Sequence, residues 1–158
     1  MIQIYYGSGK GKTTAALGAG LRACGAGLSV SMVQFLKSSS SSELKSAPFY
    51  IYPSPDAVPF EFDEESFEEY KEWLFEAFRF VRECSSDVII LDEALDLVSL
   101  GFVSGDDIAS FLCDDKEYII TGHEKCSEVF DKADYISKIE CERHPYYSGV
   151  KARKGFEF

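Results

Sequence analysis

The chain has no C-x-x-C pair. Its five cysteines, Cys24, Cys84, Cys113, Cys126 and Cys141, are odd in number and far apart. They support neither a zinc ribbon nor a disulfide framework, so reduced thiols in a cytoplasm are the expectation. Basic residues are also few: 16 Lys and Arg face 27 Asp and Glu, for a net charge of −11. A phosphate backbone needs a basic face, so nucleic acid is not expected as the main partner. Much of the imbalance is local, because residues 61–76 hold eight acids and one lysine. No apolar run approaches the length of a membrane span. No charged-then-apolar signal segment and no N-terminal extension are read before the first strand. Internal repeats are absent. With 158 residues, 46% hydrophobic and 27% charged, the composition fits one soluble globular domain over 1–158, large enough for a real core.

The strongest positive signal lies near the start. Gly7-Ser8-Gly9-Lys10-Gly11-Lys12-Thr13-Thr14 follows the apolar run Ile2 to Tyr6 and leads into Ala15 to Gly20, which reads as helix. A strand, a glycine-rich turn and a helix N-terminus make a phosphate cradle. Glycines let the backbone wrap around anionic oxygens, successive N–H groups converge on them, and the helix dipole adds partial positive charge. Lys12 would then reach the phosphates and Thr13 would hold Mg²⁺.

The match has one departure. The Walker A pattern G-x-x-x-x-G-K-[ST] needs glycine at position 6, and the chain has Tyr6. The loop is therefore one residue shorter, Gly-x-x-x-Gly-Lys-Thr from Gly7. An ordinary glycine-rich turn explains Gly-Lys-Thr-Thr between strand and helix poorly.

Further along, strands alternate with helices. Gly25-Ala26-Gly27 ends the first helix. Ser29 to Phe35 and Phe49 to Tyr52 read as strands, separated by five serines, Ser38 to Ser42, that read as a flexible surface loop. Asp63 is the expected N-cap of a helix running to about Cys84. Its Phe67, Tyr70, Leu74, Ala77, Phe78 and Val81 fall at helical spacing and should face the core. Asp87 to Asp92 reads as a buried strand, with short helices expected from Ala94 and over 104–112. Glu117 to Thr121 is a strand, Glu124 to Lys132 a helix, and Tyr135 to Cys141 a last strand. This order predicts an α/β domain with a mainly parallel sheet flanked by helices, a P-loop NTPase (RecA-like) architecture.

Val88-Ile89-Ile90-Leu91-Asp92-Glu93 reads as a Walker B strand. Ligands of open α/β sheets collect at the carboxyl ends of the strands. Asp92 is thus a metal ligand, directly or through water, and Glu93 orients a nucleophile or holds metal-bound water. Apolar-then-Asp is common by itself, but paired with the upstream loop it indicates a Mg-nucleotide site. These two motifs alone leave a general ATPase or a nucleotide kinase open.

The chain resembles the corrinoid adenosyltransferases, the ATP:cob(I)alamin enzymes of the P-loop class, over nearly its whole length. Residues 7–16 look like that family's shortened phosphate loop, which also lacks the first Walker glycine. Val33-Gln34-Phe35-Leu36-Lys37, Ile90-Leu91-Asp92-Glu93 and Ile119-Ile120-Thr121-Gly122 look like its next strands. The tail, His144-Pro145 … Gly149-Val150-Lys151-Ala152 … Lys154-Gly155-Phe156-Glu157-Phe158, is the most distinctive part of the resemblance.

The resemblance implies transfer at carbon. A cobalt(I) centre attacks the 5′ carbon of ATP and the whole triphosphate leaves. Mg²⁺ (or Mn²⁺), Lys10, Lys12 and the loop N–H groups would stabilise that leaving group. Gly7, Ser8, Gly9, Gly11, Thr13 and Thr14 complete the implied nucleotide set, and Arg22 matches a family arginine near the nucleotide. Phe60-Glu61-Phe62 stands where the family has Phe-x-Trp, an aromatic pair packed under the corrinoid; ordinary core packing is the other reading of both phenylalanines. Implied partners are ATP, cobalamin or a corrinoid precursor, a flavin or flavoprotein reductant and a second copy in a homodimer. Phe62 for tryptophan and His123 for the family's arginine are departures, and they keep a non-catalytic corrinoid or nucleotide carrier among the readings. His144 matches the tail, where the resemblance implies a packing or subunit role ahead of cobalt ligation.

Overall fold

The computed structural model describes residues 1–59, 61–153 and 155. In chain order the elements are β1 (Ile2–Tyr6), α1 (Lys12–Gly25), β2 (Val30–Gln34), β3 (Tyr50–Ile51), α2 (Glu64–Glu83), β4 (Val88–Asp92), α3 (Ala94–Ser99), α4 (Gly105–Ala109), β5 (Glu117–Gly122), α5 (Ser127–Phe130) and β6 (Tyr135–Lys138). The strands form one sheet in the order β3-β2-β4-β5-β1-β6. Every pairing is parallel, which realises the architecture expected from the sequence. β5 separates the two motif strands, β1 and β4.

The central strands are covered on both faces, as parallel strands require. All five residues of β4 are buried, which is why Val-Ile-Ile-Leu runs without polar alternation. α1 covers one face, and its Ala16 clusters with Val30, Met32, Val88, Ile90 and Ile119. Its small residues allow the approach: a Cβ at Gly20 would stand 2.8 Å from Ile90 Cδ1. α2 covers the other face, burying Tyr70, Leu74, Ala77, Phe78 and Val81. Its start is set by a capping box in which Asp63 accepts from the Ser66 N–H and Ser66 Oγ accepts from the Asp63 N–H. Phe67 is half-buried and stacks on Phe102 with centroids 4.3 Å apart.

Three expectations change. The helix expected over 124–132 shrinks to α5, because the chain before it is held at His123 by Asp96 and the chain after it already pairs through the Asp134 N–H to Ile2 O. The helix expected over 104–112 contracts to α4, whose start is a Ser104–Asp107 capping box. The last strand ends at Lys138 and not Cys141. Ile139 still donates to Tyr6 O, but its carbonyl turns to accept from Gly9. β6 is an edge strand, and all four of its residues are exposed.

Candidate active site

The carboxyl ends of β1, β2, β4 and β5 meet at one edge of the sheet. Tyr6, which replaces the first Walker glycine, is buried and meets Phe130 edge-on at 5.0 Å. It belongs to the core, so the loop begins at Gly7. Gly7 and Gly11 have φ of 115° and 111°, a region costly for residues with a Cβ. The Gly7 N–H donates to Gly122 O, and the Gly9 N–H donates to Ile139 O at 2.8 Å. A Cβ at Gly9 would lie 2.7 Å from Ile139 Cγ2 and 2.8 Å from the Glu140 carbonyl carbon. The loop is thus clamped between the end of β5 and residues 139–140. Gly9→Ala must push that segment away. We expect nucleotide affinity to fall about tenfold, or about 1.4 kcal/mol, in a titration with a fluorescent ATP analogue. Unchanged affinity would show that the clamp is not needed.

Below the loop, Lys12 is buried and donates from Nζ to Gly9 O at 3.1 Å. Thr13 Oγ1 donates to Asp92 Oδ1 at 2.9 Å. Asp92 is wholly buried and gathers more donors: Thr121 Oγ1 at 2.7 Å, Gln34 Nε2 at 3.3 Å and Lys37 Nζ at 2.7 Å. Thr121 also accepts the Glu93 N–H at 2.8 Å, which ties the ends of β4 and β5 together. The donor set for a divalent ion is all oxygen, the chemistry Mg²⁺ takes. Gln34 Oε1, on the side chain beside Asp92, is buried with no hydrogen-bond partner among the described residues. A water of a hydrated ion would satisfy it. The residues present therefore fit Mg²⁺.

Glu93 caps α3 in the left-handed region, φ 63°, which turns its side chain back to the same edge. Burial, and then the Asp96 carboxyl beside it, push Glu93 up to about 7. His123 donates its backbone N–H to Asp96 at 3.0 Å, and its Nδ1 lies 3.1 Å from Asp96 Oδ2 and 3.5 Å from Glu93 Oε2. The Asp96 bond raises His123 above the ordinary imidazole value. Burial opposes ionisation of Asp96, yet the His123 contacts hold it below the usual carboxylate range. Gly122 makes this meeting possible, since a Cβ there would stand 2.5 Å from Leu95 Cβ on α3. Glu93, Asp96 and His123 converge closely enough to share a cation.

These groups open on a cavity of about 460 Å³. Lys10, Lys12, Thr13, Thr14, Lys37, Glu93 and His123 line it, with Gly155 from the tail. Ser42 and Ser46 wall one side, so the serine run, read as a surface loop, leads into a 3-10 helix over Ser42–Lys45 beside the site. Beyond Thr14 and Leu17 a more apolar cavity of about 300 Å³ continues to Pro48 and Phe49.

Two expected residues stand elsewhere. Arg22 is exposed in the last turn of α1 and lines a separate cavity with Gln3, Tyr5 and Ala26. Phe62 is half-buried among Phe67, Tyr70 and Phe102. It also borders an open cavity at the start of α2. Ser8 is an exposed loop residue. Phe60, Lys154 and Phe156 to Phe158 lie outside the described residues. His144 caps a 3-10 helix, accepting the Tyr146 N–H at 3.1 Å.

Sequence reasoning named no site role for Lys37, Gln34, Thr121 or Asp96. A signal existed for two of them. Gln34 and Thr121 are polar residues near the carboxyl ends of buried strands, the same pattern that singled out Asp92. Lys37 and Asp96 carried none, since Lys37 reaches the site through the turn after β2 and Asp96 from the helix α3.

A glycine loop between β1 and α1, with a Thr–Asp pair at the carboxyl edge of a parallel sheet, defines a P-loop nucleotide-binding protein. Comparison with known proteins narrows the class. The family model described as ATP:corrinoid adenosyltransferase BtuR/CobO/CobP matches residues 1–158, and the chain belongs to that family. A corrinoid adenosyltransferase of Escherichia coli is 29% identical over 167 residues, covering all of this chain and 85% of the relative. Corrinoid adenosyltransferase CobA of Salmonella typhimurium is 28% identical with the same coverage. A Sinorhizobium corrinoid adenosyltransferase is 26% identical over 172 residues, covering all of this chain and 80% of the relative. The protein is a transferase of this kind. No described helix is long and apolar enough to cross a membrane.

Proposed function

We propose that the protein transfers the 5′-deoxyadenosyl group of MgATP to the cobalt(I) of a reduced corrinoid and releases triphosphate. The observation that carries this reading is the shortened loop, with Tyr6 in the core and Lys12 buried beneath it. It is built to hold a polyphosphate. The cobalt(I) electron pair forms the bond to carbon, and the C5′–O bond breaks with its electrons on the departing triphosphate. Charge then grows on the phosphate side. Lys10, Lys12 and the loop N–H groups hold it. Thr13 and Asp92 would hold Mg²⁺, which neutralises leaving-group charge when bound. Glu93 would orient a metal-bound water, and Asp96 would keep His123 facing the phosphates. The apolar extension toward Phe49 takes the nucleoside end. Phe60 and Phe62 contribute to the lower corrinoid face, a flavin or flavoprotein supplies electrons, and two copies form a homodimer.

Anaerobic incubation with ATP and chemically reduced cobalamin tests the transfer. Adenosylcobalamin and triphosphate should appear together in the absorbance trace and in the separated products. Release of ADP and phosphate, indifferent to corrinoid, would instead favour hydrolysis, for which Glu93, at about 7 beside the cavity, would serve as base. Tight corrinoid binding without turnover would identify a carrier. Phe60→Ala should slow reaction with cob(II)alamin under a weak reductant more than reaction with preformed cob(I)alamin. Equal losses would count against the lower-face role.

A further inference from the structure

We infer that Lys37 is the resident cation of the metal site: its ammonium sits on Thr13 and Asp92 until a divalent ion arrives with nucleotide, and then turns to the phosphates. This rests on the reading that Thr13 and Asp92 hold the metal. Lys37 Nζ lies 2.7 Å from Asp92 Oδ2 and 2.8 Å from Thr13 Oγ1. These oxygens belong to the two residues assigned to the ion. A divalent ion needs their lone pairs at about 2.1 Å and repels an ammonium on the same atoms. The two cations therefore exclude one another.

The need for a placeholder is electrostatic. Asp92 is wholly buried, and a buried carboxylate without a counter-charge is strongly unfavourable. The backbone supports the placement. Leu36, just before Lys37, has φ 55°, an uncommon and costly conformation for a residue with a Cβ. Its N–H is held at 2.9 Å by the hydroxyl of buried Tyr70. This turn sends Lys37 back over the end of its own strand and not out to solvent. Once displaced, the ammonium has somewhere to go. Lys37 already lines the main cavity, and Glu43 Oε1 is 3.8 Å away. The consequence is ordered loading: bare protein binds divalent metal weakly, and nucleotide phosphates draw Lys37 aside as they bring the ion in.

The test is Mn²⁺ binding to nucleotide-free protein, read as loss of the free-ion electron paramagnetic resonance signal. Lys37→Gln keeps a donor to Asp92 and removes the charge. It should bind Mn²⁺ at least about tenfold tighter than wild type. Lys37→Arg should stay as weak as wild type. Equal or weaker binding by Lys37→Gln, in a background where Asp92→Asn abolishes its Mn²⁺ binding, would overturn the placeholder and leave the metal reading standing. Binding that is indifferent to Asp92→Asn would overturn both. Wild-type protein supplies a check that needs no folded charge-neutral variant. The ¹⁵N ammonium resonance of Lys37, assigned by its loss in Lys37→Arg, should exchange slowly with solvent and shift when Mg²⁺ and ATP are added together. A resonance that stays unchanged on loading would overturn the inference.

Discussion

Lys12→Ala should cut adenosyl transfer by about a hundredfold to a thousandfold or more, the loss seen when one preorganised donor to a developing anion is removed. Lys12 is the buried cation of the loop, and its Nζ is tied to Gly9 O. The ammonium is already desolvated and aimed, so little reorganisation accompanies reaction. On the proposed mechanism its effect belongs to the triphosphate as it leaves more than to ATP as it binds. Single-turnover rates at saturating ATP should therefore collapse, while ATP affinity drops far less. Arginine should not rescue the rate, because a planar guanidinium does not replace a compact ammonium in so confined a place. A Lys12→Ala protein that turns over within tenfold of wild type would remove Lys12 from the chemistry.

Asp92→Asn should cost both metal binding and stability. The wild-type carboxylate accepts from Thr13, Thr121, Gln34 and Lys37 at once. An amide turns one of those acceptors into a donor and leaves Lys37 facing a neutral group. Loss of one partner of a buried pair costs about 3–5 kcal/mol when the other charge stays buried. Lys37 is 23% exposed and can move toward water, so a loss of about 2–3 kcal/mol is expected here. Urea unfolding should show a lower midpoint with an unchanged slope. Activity at low Mg²⁺ should vanish, with partial recovery at high Mg²⁺. A variant of unchanged midpoint and unchanged metal dependence would mean that Asp92 does neither job.

Both predictions concern residues visible in the sequence, for a physical reason. The phosphate loop is a contiguous structure whose glycines, lysine and threonine act through backbone geometry local to eight positions. β4 announces itself as a buried apolar run ending in an acid. The core positions of α2 were legible because helical spacing places Tyr70, Leu74, Ala77, Phe78 and Val81 on one face. Short elements were less legible. α5 and β6 lost residues at their ends to contacts made by distant segments, Asp96 in one case and the loop at Gly9 in the other. Local propensity carries no record of such partners.

Sequence alone determined the class of sheet, the start of the loop at Gly7 and the pairing of that loop with Asp92. Those depend on patterns within single segments. Tertiary structure alone decided what surrounds Asp92. Gln34 and Thr121 come from the ends of β2 and β5, Lys37 and His123 from just beyond them, and Asp96 from α3 after β4, and only strand order brings those segments side by side. It also set Arg22 apart from the loop cavity, because the cradle is at the start of α1 and Arg22 stands in its last turn. The ammonium that sits on Thr13 and Asp92 could not be read from spacing at all. It depends on the turn at Leu36, a backbone conformation held by the hydroxyl of Tyr70 on a helix across the sheet.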